Sequence, residues 1–260
     1  MIERVTFTGA DDTIEPNDLI SLSRKYPWVE WGILFPSSAD SGILFPSSKW
    51  VSELKQLVKK EEENKPLNVP YRNPRKTTWY TDANYRNEIN LSMHLCEPMV
   101  SEFIIEGLPF EQIMKKHNIP NIFQRVQINT HGLQYKWNES FVKELKIYSD
   151  KEFILQVDGA NDFIFYIPSD NVAVFQDFSS GAGVFQNSWL DFGDRKYGYS
   201  GGLNINTLPQ AVEVWDKRDK TINWIDMESG VRTNGRFDLY KVMEVIKYIE
   251  PYVSNSLVKV

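Results

Sequence analysis

Eight short apolar runs, separated by longer stretches whose apolar residues recur at helical spacing, most narrow what this chain can fold into. The runs occupy residues 4–8, 29–35, 89–96, 123–129, 153–157, 172–178, 197–199 and 221–227. Each has the length and the β-branched or aromatic content of a strand. Between them, residues 48–63, 99–117, 140–148, 207–216 and 238–252 read as helices. In the last of these, Leu239, Val242, Met243, Ile246 and Ile249 fall on one helix face. Asn234 or Gly235 is expected to precede its first turn, and Pro251 to close it. Strands that alternate with helices are joined as parallel neighbours by right-handed crossovers. Eight such units predict an α/β fold, a single (β/α)8 TIM barrel over residues 1–260, a length close to the roughly 250 residues such barrels use as one domain. An open sheet is the other arrangement that the periodicity allows.

Two segments break the rhythm. Residues 66–88 hold three prolines together with Tyr71, Trp79, Tyr80 and Tyr85, and are too long for a plain connection. They are expected to form an excursion over one barrel mouth, its aromatic residues serving as a lid or a subunit contact. The second is a repeat: Gly-Ile-Leu-Phe-Pro-Ser-Ser fills 32–38 and recurs at 42–48. A single repetition is too little for a solenoid, so the first copy reads as a strand with its loop and the second as a lead into the helix at Trp50.

Composition limits the partners. Lys+Arg number 29 against Asp+Glu 35, a formal net charge of -6. Nucleic-acid backbones and anionic membranes both reward clustered basic residues, which this chain lacks. The one charge block, Lys59 to Glu63, mixes signs and reads as a solvated helix end. Cys96 is the only cysteine, so no internal disulfide can form. No run of about 18 apolar residues or apolar leader is present, and a cytoplasmic location is expected. His94, His117 and His131 fall in different strand-helix units, so no metal and no cofactor is expected.

Parallel barrels gather their reactive groups at the carboxyl ends of the strands. The first strand runs into Thr8-Gly9-Ala10-Asp11-Asp12, a polar turn or a source of catalytic carboxylates. The sixth ends in Asp177, followed by a loop containing Gly181 and Gly183. Asp177 is placed to act as a general acid or base, if a dry pocket raises its proton affinity. The seventh ends in Ser200-Gly201-Gly202-Leu203-Asn204 and the eighth in Asp226-Met227-Glu228-Ser229-Gly230-Val231-Arg232. Two glycine-containing loops on adjacent final strands can direct backbone N–H groups at an anion, which predicts a phosphate cradle.

The order and spacing of these last three blocks resemble phosphoribosylanthranilate isomerase, a (β/α)8 barrel family that catalyses an Amadori rearrangement. In that family a strand-1 cysteine acts as base and a strand-6 aspartate as acid. Asp177 matches the aspartate, whereas Thr8 stands where the cysteine would be, and a threonine hydroxyl does not ionise near neutral pH. The arginine that the family carries after strand 2 has no counterpart between Phe35 and Trp50, where Lys49 is the only cation. The Leu-His-Cys neighbourhood of His94 and Cys96 is similar to the family's strand-3 ending. Cys96 reads as a buried structural thiol or as a substitute for the missing one.

The resemblance implies a phosphorylated ribosyl or nucleotide-type small molecule as ligand. Gly181, Gly183, Gly201, Gly202, Ser229 and Gly230 would hold its phosphate, and Arg125, Gln127, Asn129, His94 and Arg232 the remainder. Asp177 would act with Asp11, Asp12 and Thr8 in an isomerase-like proton transfer. A barrel that binds, senses or sequesters a nucleotide-derived molecule without converting it is the competing class, and a scaffold with no small ligand is a third. Oligomeric state is left open.

Overall fold

The computed structural model describes residues 1–35, 43–63, 71–72, 79–80, 89–130, 139–157, 167, 169–177, 182–186, 188–218 and 220–254. All eight apolar runs are strands: β1 (Val5–Thr8), β2 (Val29–Phe35), β3 (Asn90–Leu95), β4 (Arg125–Ile128), β5 (Glu152–Val157), β6 (Val172–Gln176), β7 (Tyr197–Tyr199) and β8 (Trp224–Met227). Each pairs in parallel with its neighbours in chain order, and β8 returns to β1, with Val5 opposite Ile225 and Phe7 opposite Met227. The closed parallel ring with helices around it is a (β/α)8 barrel. The open sheet is excluded by the β8–β1 pairing.

The helices are α1 (Pro16–Lys25), α2 (Ser48–Glu63), α3 (Met99–Ile104), α4 (Phe110–Lys116), α5 (Glu139–Ile147), α6 (Leu208–Asp216) and α7 (Leu239–Ile249). Three differences from the sequence expectations have local causes. The helix expected over 99–117 is two, because Gly107 takes φ +70° and Pro109, which has no N–H to donate, stands before α4. Helix α1 is not among those clearest by apolar spacing: only Leu19, Ile20 and Leu22 are large apolar residues in it, although Pro16 supplies a helix-start signal. Helix α7 is capped by Asp238, whose carboxylate accepts from the Tyr240 and Lys241 amides, and not by Asn234 or Gly235. That pair, at φ +53° and +77°, instead turns a hairpin between Arg232–Thr233 and Arg236–Phe237, as Asn-Gly favours.

Of the expected excursion, Tyr71–Arg72 and Trp79–Tyr80 pair as a small antiparallel ribbon; the rest of 66–88 lies outside the described residues. The first heptad copy closes β2 and the second leads into α2; residues 36–42 lie outside the described residues. Among the described residues no helix stands between β6 and β7. Residues 188–192 cover that flank instead, tied down by the Gln176 side chain, which accepts from the Leu190 amide at 2.7 Å and donates to the Ser188 carbonyl at 2.8 Å. Trp189 packs there on Tyr199 and Trp215, with ring centroids 4.9 and 5.1 Å away. No described helix is long and apolar enough to cross a membrane.

The large apolar core fills the layer between barrel and helices, while inside the ring only Ile154, Ala173, Phe175 and Trp224 form a small apolar cluster. Bulky branched residues usually fill this space. Here charges replace them. Arg125 Nη1 lies 2.6 Å from Glu30 Oε1 and Nε 2.8 Å from Glu152, with the guanidinium 4.2 Å over the Trp224 ring. Arg4 and Thr6 also donate to Glu30, and Lys196 to Glu152. Burial opposes the charge on Glu152, but Arg125 and Lys196 overcome it and hold the carboxyl down to about 2.

Replacing Arg125 by leucine strands a buried carboxylate, and is expected to cost about 3–5 kcal/mol in urea denaturation. Because the folded Glu152 pKa lies below its ordinary 4.5, its contribution is present above that pH and is lost as pH falls toward about 2. Wild-type stability should therefore decline over that acid window by more than that of Glu152→Gln.

Candidate functional site

A cavity of about 140 Å³ opens at the carboxyl ends of the strands. Strand β3 contributes His94; β4 contributes Gln127 and, just beyond it, Asn129; β5 contributes Gln156. Asp177 follows β6, Ser200 to Leu203 follow β7, and Asp226 to Ser229 come from β8 and its loop. The lining holds three carboxylates, Asp177, Asp226 and Glu228, and among the described residues no lysine or arginine.

Asp226 is 4% exposed and accepts a 2.6 Å hydrogen bond from Thr8 Oγ1. Burial pushes its proton affinity up, and the charges of Glu228, Asp177 and Glu30 add to that, against the Thr8 bond, to bring it to about 7. Glu228 is raised as well, by burial and by Asp177, with Arg232 opposing. These are the conditions under which a carboxyl group both gives and takes protons near neutrality.

His94 is neutral: burial, reinforced by Arg125 and opposed by Glu30, holds its pKa down to about 3. Its Nδ1 lies 3.1 Å from Gln127 Nε2. An amide nitrogen only donates, so Nδ1 accepts and Nε2 carries the proton. That Nε2 is buried and, among the described residues, has no hydrogen-bond partner. Gly32 makes the space it faces: a Cβ there would lie 2.3 Å from Thr8 Oγ1 and 2.8 Å from His94 Nε2. The chain of amides continues from Gln127 to Asn129 Oδ1, and from Asn129 to Cys96 Sγ at 3.6 Å. Burial pushes the Cys96 thiol up to about 11, so it is protonated at neutral pH and offers no thiolate.

One wall is made where three loops close on each other. A Cβ on Gly230 would strike the Leu203 carbonyl at 2.1 Å, and one on Gly202, at φ +64°, the Phe185 amide at 2.2 Å. Gly183 approaches Ser229 in the same way. Among the described residues, the amides of Gly201, Gly202, Ser229 and Gly230 donate no hydrogen bond within the chain.

The structure thus brings Asp177, His94, Gln127, Asn129, Gly183, Gly201, Gly202 and Ser229 to one cavity, with Thr8 behind Asp226 and Gly230 packed against the wall. Others are held elsewhere. The Asp11 carboxylate, fully buried, accepts from Thr13, the Leu44 amide and Arg232. Asp12 accepts from the Ser47 amide and hydroxyl. Both fasten the β1 loop to the segment before α2, and neither lines the cavity. Arg232 joins the β1 and β8 loops through the Gly9 and Gly235 carbonyls and Asp11. Arg125 opens β4, so it lies in the barrel interior toward the amino ends of the strands, beneath the cavity. Gly181 and His131 lie outside the described residues. Among the described residues no group of His, Cys, Asp and Glu is arranged to hold a metal ion.

Asp226, Glu228 and Gln156 were not singled out from the sequence. A signal existed for the first two. In Trp224-Ile225-Asp226-Met227-Glu228 the acids alternate with apolar residues, and the period of two puts both carboxylates on the face opposite the core.

A polar cavity at the carboxyl mouth of a (β/α)8 barrel defines the class, one in which small-molecule sites occupy this mouth. No protein-family model matches the chain, and no curated protein matches it. Among solved structures, it is similar to N-(5'-phosphoribosyl)anthranilate isomerase from Pyrococcus furiosus at 12% identity, over 96% of this chain and 99% of that one, with a TM-score of 0.47. A Rubisco-like protein from Rhodopseudomonas palustris is similar at 7% identity over 97% of this chain and 65% of that one, with a TM-score of 0.45. The fold is read from the closed ring of strands and not from these likenesses.

Because the folded Asp226 pKa is raised above its ordinary 3.8, the folded state holds a proton that the unfolded state releases, and folding loses stability as pH rises from there to about 7. Asp226→Asn should remove that loss. Its stability relative to wild type is expected to climb by at most about 1.4 kcal/mol per pH unit between pH 4 and 7 and to level off above, read by urea denaturation across pH.

Proposed function

We propose that this chain is an enzyme that moves protons on a small hydroxyl-bearing molecule held at the barrel mouth, with isomerisation at a sugar-like carbon as the reaction. The observation that carries this reading is Asp226, a buried carboxyl group lining the cavity whose proton affinity is raised to about 7. A shift of hydrogen between adjacent carbons needs one group to remove a proton and a group to return it. Asp226 takes the proton beside a carbonyl carbon. The C–H electron pair becomes a C=C bond and the carbonyl pair moves onto oxygen. The proton of the adjacent hydroxyl passes to that oxygen, and the freed O–H pair forms the new C=O bond. The C=C pair takes a proton at the former carbonyl carbon from Asp177, the second carboxyl group of the cavity. Exchange with water resets both acids. The neutral His94 Nε2–H is a donor for the oxygen on which negative charge develops. Thr8 is a positioning residue that orients Asp226 through its hydroxyl. The unengaged amides of Gly201, Gly202, Ser229 and Gly230 suit the oxygen-rich end of the ligand, a phosphoryl group included.

A second reading, a barrel that binds or sequesters a nucleotide-derived ligand without converting it, is favoured by one observation. The hydroxyl of Thr8, at the strand-1 position, is committed to Asp226 and supplies no ionisable group. Incubation of the full chain with free and phosphorylated aldoses and ketoses in D2O, followed by NMR, separates the two. Deuterium is expected at the carbon beside the carbonyl, at a rate that falls at least about 100-fold in Asp226→Asn and in Asp177→Asn. Tight binding of an unexchanged sugar phosphate, unaltered by either variant, would overturn the enzyme reading.

A further inference from the structure

We infer that the ligand selected by this cavity brings positive charge to its carboxylate side: a polyhydroxylated amine bound as its ammonium, in preference to a phosphate ester. The inference rests on the acid–base reading of the same site and names the ligand class for it. Three carboxylates, Asp177 after β6, Asp226 on β8 and Glu228 just after it, line a cavity that among the described residues has no lysine or arginine in its wall.

Among the described residues, the groups around Asp226 offer no cation to an incoming anion. Thr8 faces it from β1, Glu30 from β2 and the neutral His94 from β3, with Asp177 and Glu228 completing the set. The nearest described cations make their hydrogen bonds elsewhere, although the Arg232 charge reaches Glu228. Arg125 on β4 is clamped between Glu30 and Glu152, and Arg232 is bonded to Asp11 and to the Gly9 and Gly235 carbonyls. Asp177 and Asp226 are buried, and charge interactions of buried groups are screened less than in bulk. A dianion there is repelled by each carboxylate, whereas an ammonium group is attracted by all of them.

A second observation is independent of the acids. The His94 Nε2–H, on a side chain 1% exposed, has no partner among the described residues and borders the gap over Gly32 beside Thr8. It calls for an acceptor oxygen on the ligand, near the amine. The amides of the β7 and β8 loops call for further oxygens, which hydroxyl groups supply.

The sign of proton linkage tests this. An ammonium favours ionised Asp226, so its binding releases a proton and strengthens as pH rises. A phosphate favours the protonated carboxyl, so its binding takes up a proton and weakens. Three molecules on one scaffold serve as probes in calorimetry with the full chain at pH 6 and pH 8: glucamine, sorbitol and sorbitol 6-phosphate. The dissociation constant of glucamine is expected to fall about tenfold between those pH values, the rise in the ionised fraction of a group titrating near 7. Sorbitol should bind more weakly with no pH dependence, and its phosphate most weakly at pH 8. Asp226→Asn should flatten the glucamine profile, and Glu228→Gln should weaken glucamine at both pH values while leaving sorbitol unchanged.

Tighter binding of the phosphate than of glucamine at pH 8, equal binding of glucamine and sorbitol, or no binding of glucamine would each overturn the inference. The deuterium exchange reads the reaction separately. Charge selection without exchange would sink the acid–base reading alone, and exchange confined to phosphorylated sugars would sink the amine preference alone.

Discussion

The contact between Arg125 and Glu30, 2.6 Å long and buried inside a closed ring, sets the terms for everything above it. Closure buries most of the inward-facing side chains, so a charge placed there must be matched by another. Glu30, Arg125 and Glu152, with Arg4 and Lys196 at the edges, achieve that toward the amino ends of the strands. The match is local. Its field still reaches the next layer, where Arg125 helps keep His94 neutral and Glu30 helps keep a proton on Asp226.

The mouth differs from this lower layer in the balance of its described charges. Below, opposite charges are paired at hydrogen-bond distance. Above, Asp177, Asp226 and Glu228 share a small space, where the Thr8 hydroxyl and the Arg232 charge only partly offset the raised proton affinities of Asp226 and Glu228. Thr8 fits this arrangement better than an ionisable group would, because a neutral hydroxyl can donate to Asp226 without adding charge. A thiolate at the same point would place a further negative charge beside the acids, and Cys96, the one thiol in the chain, is held protonated by burial, with Glu228 and Glu97 adding to it.

The ring itself was legible residue by residue. All eight strands coincide with apolar runs, because a strand buried on its outer face must be apolar there whatever its partners are. The two helices in place of 99–117 and the Asp238 cap were partly legible, since Gly107, Pro109 and Asn234-Gly235 are local signals that the helical periodicity outweighed. The flank covered by Trp189 in place of a helix was not, because nothing local says that those aromatic rings stack on Tyr199 and Trp215.

The sequence by itself determined the order and kind of the elements, and with them the mouth at which polar residues collect, since local propensity and the periods of strand and helix depend only on neighbours along the chain. Only the tertiary structure decided what each polar residue does there. Asp11 and Asp12, close to a strand end, are spent on loop bonds, and Arg125 serves the interior. Asp226, 218 residues from the Thr8 that orients it, becomes the proton-bearing group. A carboxyl group's proton affinity is set by burial and by the charges around it in space, and chain order does not encode those distances.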